Sequence, residues 1–270
     1  EIENLCEIAL PDFGYITNFG RVHLEGFGSF EGVIKGKTEM YRYLEKNRKK
    51  VFVNQDDPIQ MEKSAGMDRI LFGASGTDYK VTFLGADPFV RIEFDGIHME
   101  SKLIGSYNYA NIAAAVSIGK YFGVETERSK GAIEGFVPDN NRSQIIKRES
   151  NRIILDAYNA NPNSMEAAIQ NLANLSADKK VAILGDMFEL GEEPGMEHQK
   201  IADLAMDSNL DRVYLIGKAF AKTRISKKDV FLVNSFEEFK ELFKEHKFKD
   251  TTFLIKASRG MALERVLDYL

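Results

Sequence analysis

Hydrophobic positions along this chain follow two rhythms. Val33, Ile34, Met40, Tyr41 and Leu44 recur at helical spacing and predict a helix over residues 30–47. Tyr15-Ile16-Thr17-Asn18 reads as a short buried strand running into a polar loop, and strand-like runs follow at 51–53, 70–72, 79–84 and 90–94. Within the last of these, Val90, Ile92 and Phe94 alternate with polar neighbours, the mark of a half-buried strand. A second helix is expected over 107–121, carrying Ala113-Ala114-Ala115. Beyond Pro138-Asp139-Asn140-Asn141 the rhythm changes. Continuous apolar runs at 153–155, 181–184, 213–216, 230–233 and 253–255 alternate with helical segments near 164–175, 197–208, 236–245 and 261–270. That alternation predicts an α/β, Rossmann-like unit whose mostly parallel sheet is covered on both faces. The boundary is expected near residue 148, giving a first domain over 1–147 and a second over 148–270.

Composition narrows the picture. A length of 270 residues suits one large or two ordinary domains, and 44% hydrophobic with 29% charged residues is the balance of a globular protein. A net charge of −5 gives no electrostatic reason to expect nucleic acid or an anionic membrane as partner. Cys6 is the single cysteine, which excludes an internal disulfide and any multi-cysteine metal site and fits a reducing compartment. No run approaches the roughly 20 apolar residues of a membrane span. A cytoplasmic monomer is expected. There is no initiating Met, and the chain opens inside an amphipathic pattern, so it is expected to begin within a domain.

Four segments could carry chemistry. Gly32-Val33-Ile34-Lys35-Gly36-Lys37-Thr38 imitates a phosphate loop, but it has one residue too few between its glycines and lies in a helical pattern, so it reads as a helix turn. His23 sits in the loop after a buried strand, where open α/β sheets place ligands, and a neutral imidazole there could hold a divalent cation, although Mg²⁺ prefers oxygen. Asn108 and Asn111, three apart at a helix start, share one face; such amides can cap the helix or offer a base a donor and an acceptor together. Asp156-Ala157-Tyr158-Asn159-Ala160-Asn161-Pro162-Asn163-Ser164-Met165 is the most informative block, because it gathers a carboxylate and amides between a strand end and a helix start. Capping by Asn163 or Ser164 accounts for only part of it.

These segments, with TNFGRVHLEGFGSFEGVIKGKTEM at 17–40, Leu184-Gly185-Asp186-Met187-Phe188-Glu189-Leu190-Gly191 followed by His198, and Ile255-Lys256-Ala257-Ser258-Arg259-Gly260, resemble the Mur ligases in order and nearly end to end. The likeness is greatest to the branch that adds D-alanyl-D-alanine, whose D-x-Y-N-A-N-P-x-S-M signature block 156–165 matches. The resemblance implies the rear part of a central ATPase domain followed by a Rossmann-like C-terminal domain. It further implies ATP-dependent amide bond formation through an acyl phosphate, joining UDP-N-acetylmuramoyl-tripeptide to D-alanyl-D-alanine with ATP and Mg²⁺. By that resemblance His23 and a carbamylated Lys37 hold metal, Asn108, Asn111, Arg142, Asp156 and Asn159 face the nucleotide, and Asn161, Asp186, Glu189, Ser258 and Arg259 face substrate. Lys256 joins His23 and Lys37 as a catalytic group. The sequence departs from the family at Tyr107, where His is usual, at Asn141, where a Gly precedes the Arg, and at Ala257, another family Gly.

The family's G-T-x-G-K-S/T phosphate loop finds no counterpart, so the resemblance implies a fragment without that loop and without the N-terminal domain, inactive as a ligase by itself. Two alternatives remain at this point. Folylpolyglutamate synthase shares the fold and the modified lysine, and block 156–165 argues against it. A non-catalytic nucleotide-binding module is the other.

Overall fold

The β-branched and aromatic runs pair into two six-stranded sheets in a computed structural model, which describes residues 1–20, 24–139, 141–188, 190 and 194–270, with backbone alone for 24 and 25. The chain divides into two compact units, Glu1–Phe136 and Val137–Leu270.

In the first unit the strands are β1 (Phe13–Tyr15), β2 (Lys50–Asn54), β3 (Arg69–Gly73), β4 (Tyr79–Ala86), β5 (Phe89–Phe94) and β6 (Ile97–Ile104), side by side in chain order. β1 to β4 are parallel, and β4, β5 and β6 are antiparallel. The switch follows from loop length. Asp95 and Gly96 both take positive φ (51° and 75°), which turns β5 into β6 with two residues, as an Asp-Gly hairpin does. Val90, Ile92 and Phe94 all point inward, as their alternation predicts, and pack with Phe72, Val81 and the small-residue face of the helix Tyr109–Tyr121. The helix expected over 30–47 is two helices, Phe30–Lys37 and Glu39–Lys46, interrupted at Thr38, whose hydroxyl donates back to the Ile34 carbonyl.

In the second unit the strands are β7 (Gln144–Arg148), β8 (Asn151–Asp156), β9 (Lys179–Gly185), β10 (Arg212–Ile216), β11 (Val230–Val233) and β12 (Thr251–Lys256), in the order β11-β10-β9-β12-β8-β7. All neighbours are parallel except β7 with β8. This is the doubly covered α/β sheet that the continuous apolar runs predict, and every residue of β12 is buried. Ile153, Leu155, Ile183, Tyr214, Phe239 and Phe253 form its core beside Leu263 and Val266. Each such side chain contributes on the order of 1.5–3 kcal/mol by leaving water. β7 is antiparallel to β8 along its whole length and belongs with the second unit. Ala262 takes a left-handed φ of 48°, so the helix expected over 261–270 is instead two 3₁₀ segments, Arg259–Met261 and Leu263–Tyr269.

Candidate functional site

The site in the second unit is built where β8 and β12 end together. Asp156 and Lys256 are register partners at the carboxyl ends of adjacent parallel strands, so their side chains emerge next to each other. The Lys256 ammonium donates to Asp156 Oδ2 at 2.6 Å and to the Asn159 carbonyl at 3.0 Å; its side chain is 3% exposed and that of Asp156 16%. The other carboxylate oxygen, Oδ1, accepts the Ser143 N–H at 3.0 Å. A buried charge is tolerable only when paired and hydrogen-bonded, and this pair meets both conditions. The ammonium and the carboxylate therefore tie three segments together: the junction before β7, the loop after β8 and the end of β12.

The loop after β8 closes on a helix cap. Asn161 Oδ1 accepts the Ser164 N–H at 2.9 Å and Ser164 Oγ accepts the Asn161 N–H at 3.1 Å, a reciprocal box with Pro162 in the first turn of the helix Pro162–Asn174. The cap is thus Asn161, where the sequence suggested Asn163 or Ser164; proline's fixed φ starts the helix earlier than the apolar periodicity does. Asn159 is exposed, with its side-chain carbonyl accepting the Ala160 N–H. Asn161→Ala is expected to cost about 1 kcal/mol of unfolding free energy in a urea titration. A change below a few tenths would show that the box adds nothing.

The Asp186 block is also held from within. Asp186 is buried, and its two oxygens accept the N–H groups of Ala219 (3.0 Å) and Phe220 (2.9 Å), anchoring the 3₁₀ turn Phe220–Lys222. His198 is wholly buried; Nε2 accepts the Met187 N–H at 3.0 Å and Nδ1 donates to the Pro194 carbonyl at 2.6 Å, which fixes the tautomer, and the ring stands edge-on to Phe220. Ser258 Oγ accepts the Phe188 N–H at 2.8 Å, joining this loop to the one after β12. Arg259 is exposed and pairs with Glu264 at 3.2 Å. Glu189 lies outside the described residues.

Arg142 precedes β7 and lies over the Tyr158 ring, its guanidinium carbon 3.9 Å from the centroid. Asn141 has φ 57°, the left-handed conformation that Gly and Asn adopt most readily. The Asn in place of the family's Gly therefore keeps the backbone that a Gly would allow. Asn141, Arg142, Tyr158 and Arg259 together line a hollow of about 640 Å³.

In the first unit, Gly105 takes a φ of 79°, and an added Cβ would land on the ring of Tyr107, so this aromatic lies over the glycine at the helix start. Asn108 is buried and donates to the Ile104 carbonyl at 2.8 Å, while its own Oδ1 accepts from Asn111 at 3.0 Å. Asn111 is exposed, so Asn108 steadies the amide that solvent can reach. Lys37 donates to the Asn18 carbonyl at 2.7 Å, and partial burial lowers its pKa. His23 lies outside the described residues. As a donor, the Lys37 ammonium does not fit a cation, and among the described residues no group of three or more His, Cys, Asp or Glu is placed to hold one. Nor is any described helix long and apolar enough to cross a membrane.

Comparison with known proteins bears on the fold and the family. Residues 1–119 match the Mur ligase middle domain, and residues 141–259 match the domain described as Mur ligase, glutamate ligase domain. The chain is 31% identical to the UDP-N-acetylmuramoyl-tripeptide–D-alanyl-D-alanine ligase of Bacillus subtilis, covering 99% of this chain and 61% of that protein. The enzyme of the same name from Escherichia coli is 27% identical over 99% of this chain and 62% of its own. Among solved structures, MurF from Acinetobacter baumannii superposes with a TM-score of 0.84 at 26% identity, covering all of this chain and 62% of that one. MurF from Thermotoga maritima, solved with ADP, shares the fold with a TM-score of 0.83 at 24% identity over 99% of this chain and 63% of that one. The chain thus spans about three-fifths of the relatives it matches. With a middle and a C-terminal domain matched in succession, over residues 1–119 and 141–259, the chain belongs to the Mur ligase family.

Proposed function

We propose that this chain supplies the adenine side and the acceptor side of an ATP-dependent ligase that joins D-alanyl-D-alanine to UDP-N-acetylmuramoyl-tripeptide in the cytoplasm. The observation that carries the reading is the loop 156–161, in which the D-x-Y-N-A-N-P signature closes at the carboxyl ends of two parallel strands, where open α/β sheets bind ligands. The curated relatives reported above bear that ligase's name and not that of a folylpolyglutamate synthase.

In this reading the tripeptide carboxylate takes the γ-phosphoryl group of ATP, releasing ADP, and the dipeptide amine then displaces phosphate to leave an amide. Asn111 offers the adenine edge a donor and an acceptor, with Asn108 fixing its rotamer. Lys256 and Asp156 act from beneath the site, holding the Asn159 and Ser143 backbones in place. The loops joined by Ser258 and Phe188 form the acceptor side, with Arg259 at its rim. Carbamylation of Lys37 would turn its donor into an anionic oxygen ligand suited to Mg²⁺, and burial favours the neutral amine that reacts with CO₂. With the amine unmodified, no step is assigned to the metal.

The test is ADP release by the natural gene product that carries this chain. Sustained release over many turnovers is expected only when UDP-N-acetylmuramoyl-tripeptide and D-alanyl-D-alanine are both supplied, the tripeptide alone giving at most one equivalent. Release that depends instead on a folate and glutamate, or on neither peptide substrate, would overturn the assignment. In the same protein Asn111→Ala should weaken ADP binding about tenfold, since one amide contact is worth on the order of 1–1.5 kcal/mol; unchanged calorimetric affinity would remove Asn111 from the adenine site.

A further inference from the structure

Arg142 is presented in an unusual way. It sits between two left-handed residues, Asn141 (φ 57°) and Ser143 (φ 50°), and both neighbours are pinned from the β8 side. The Tyr158 N–H donates to the Asn141 carbonyl at 3.2 Å, and the Ser143 N–H donates to Asp156 at 3.0 Å. The backbone of Arg142 is therefore fixed, and the Arg142 N–H is itself bound to the Asp139 carbonyl. Its side chain extends over Tyr158, which is 41% exposed and covers one face of the guanidinium. Among the described residues no carboxylate pairs with that guanidinium and no side-chain hydrogen bond engages it.

An arginine normally loses much of its rotamer freedom when it grips a ligand. Stacking on an aromatic face removes part of that loss in advance and leaves the planar edge, with its N–H donors, available. That edge borders the hollow lined also by Arg259, whose own charge is balanced by Glu264. The hollow thus holds one more positive than negative charge among these groups. Its chemistry suits a tetrahedral oxyanion that offers two oxygens to a guanidinium fork.

We propose that Tyr158 is a positioning residue that presents Arg142 to a phosphate group. The proposal deepens the ligase reading, on which it rests for the nucleotide as the source of that phosphate; free inorganic phosphate species share the same chemistry.

The experiment follows the Arg142 side chain by NMR while the chain is titrated with ADP and, separately, with inorganic pyrophosphate. Ring-current shifts of the Arg142 δ-protons are expected in the wild type, retained in Tyr158→Phe and lost in Tyr158→Leu. Tyr158→Leu should weaken binding of both probes about threefold to fivefold, the loss of an exposed cation–π contact. Tyr158→Phe should restore affinity. Arg142→Ala should weaken binding about tenfold, with no further effect of Tyr158→Leu added to it. Equal affinities for the wild type and Tyr158→Leu, additive losses in the double variant, or no binding of either probe would overturn the positioning role. If pyrophosphate shows the expected Tyr158 dependence and ADP binds no more tightly than pyrophosphate, the positioning role stands and the nucleotide reading fails.

Discussion

Lys256→Met is expected to destabilise the second unit by about 3 kcal/mol, because it strands a carboxylate that folding has taken largely out of water. Asp156 would keep the Ser143 N–H but lose its counter-ion, and the Asn159 carbonyl would lose its donor. Methionine fills similar volume, so little of the loss comes from a cavity. Asp156→Asn should cost somewhat less, since the amide oxygen can still accept from Lys256. Combining Lys256→Met with Asp156→Leu should recover part of the loss, because the apolar pair leaves no stranded charge, although it gives up the bonds to the Ser143 N–H and the Asn159 carbonyl. Urea unfolding followed by circular dichroism measures all three, and amide exchange in β8 and β12 localises the effect. A loss below about 1 kcal/mol for Lys256→Met would mean that the pair behaves as a solvent-screened surface bridge.

Gly217→Ala should be comparably damaging. Gly217 follows β10 with a φ of 129°, a conformation that side chains oppose, and its N–H donates to the Val233 carbonyl. An added Cβ would land on the Asp186 carboxylate, which holds the N–H groups of Ala219 and Phe220. Moving the carboxylate gives up both bonds; moving the backbone breaks the pairing at the end of β10. Either route is expected to cost about 3 kcal/mol. Gly195→Ala is the control, because it lies in the helix Pro194–Asp207 with nothing within 4 Å of a built Cβ. There alanine should be neutral or stabilise by up to about 1 kcal/mol. If thermal unfolding ranks the two glycines equally, the steric account of Gly217 fails.

The second sheet was readable from the sequence because its strands are unbroken apolar runs, which only a doubly covered sheet can bury. β7 escaped because it has just two apolar residues, Ile145 and Ile146, and the helix Thr126–Gly135 because its sequence is mostly polar. The motif blocks identified which residues belong together, and the family follows from them. They could not say which way each polar group turns. A carboxylate that grips a ligand and one that grips its own backbone leave the same letter, so Asp186, assigned by resemblance to substrate, was not distinguishable in advance from the anchor of the Phe220 turn. Asn161 poses the same problem as a cap, and Lys256 as the buried partner of Asp156. The burial of His198 was equally invisible, since its two partners are backbone groups.

The position of β12 has a bearing on how the protein is made. This strand lies between β8 and β9, which precede it by many tens of residues, and Lys256 meets Asp156 across a separation of 100 positions. On the ribosome, β8 and β9 emerge with a gap between them that no earlier segment of the sheet can fill. The second sheet, and with it the bond that organises the loop after β8, must therefore wait for residue 256 to clear the exit tunnel. Until then the nascent unit carries two unpaired apolar edges of the kind that chaperones shield. The first sheet, whose strands pair in the order they are synthesised, has no such delay.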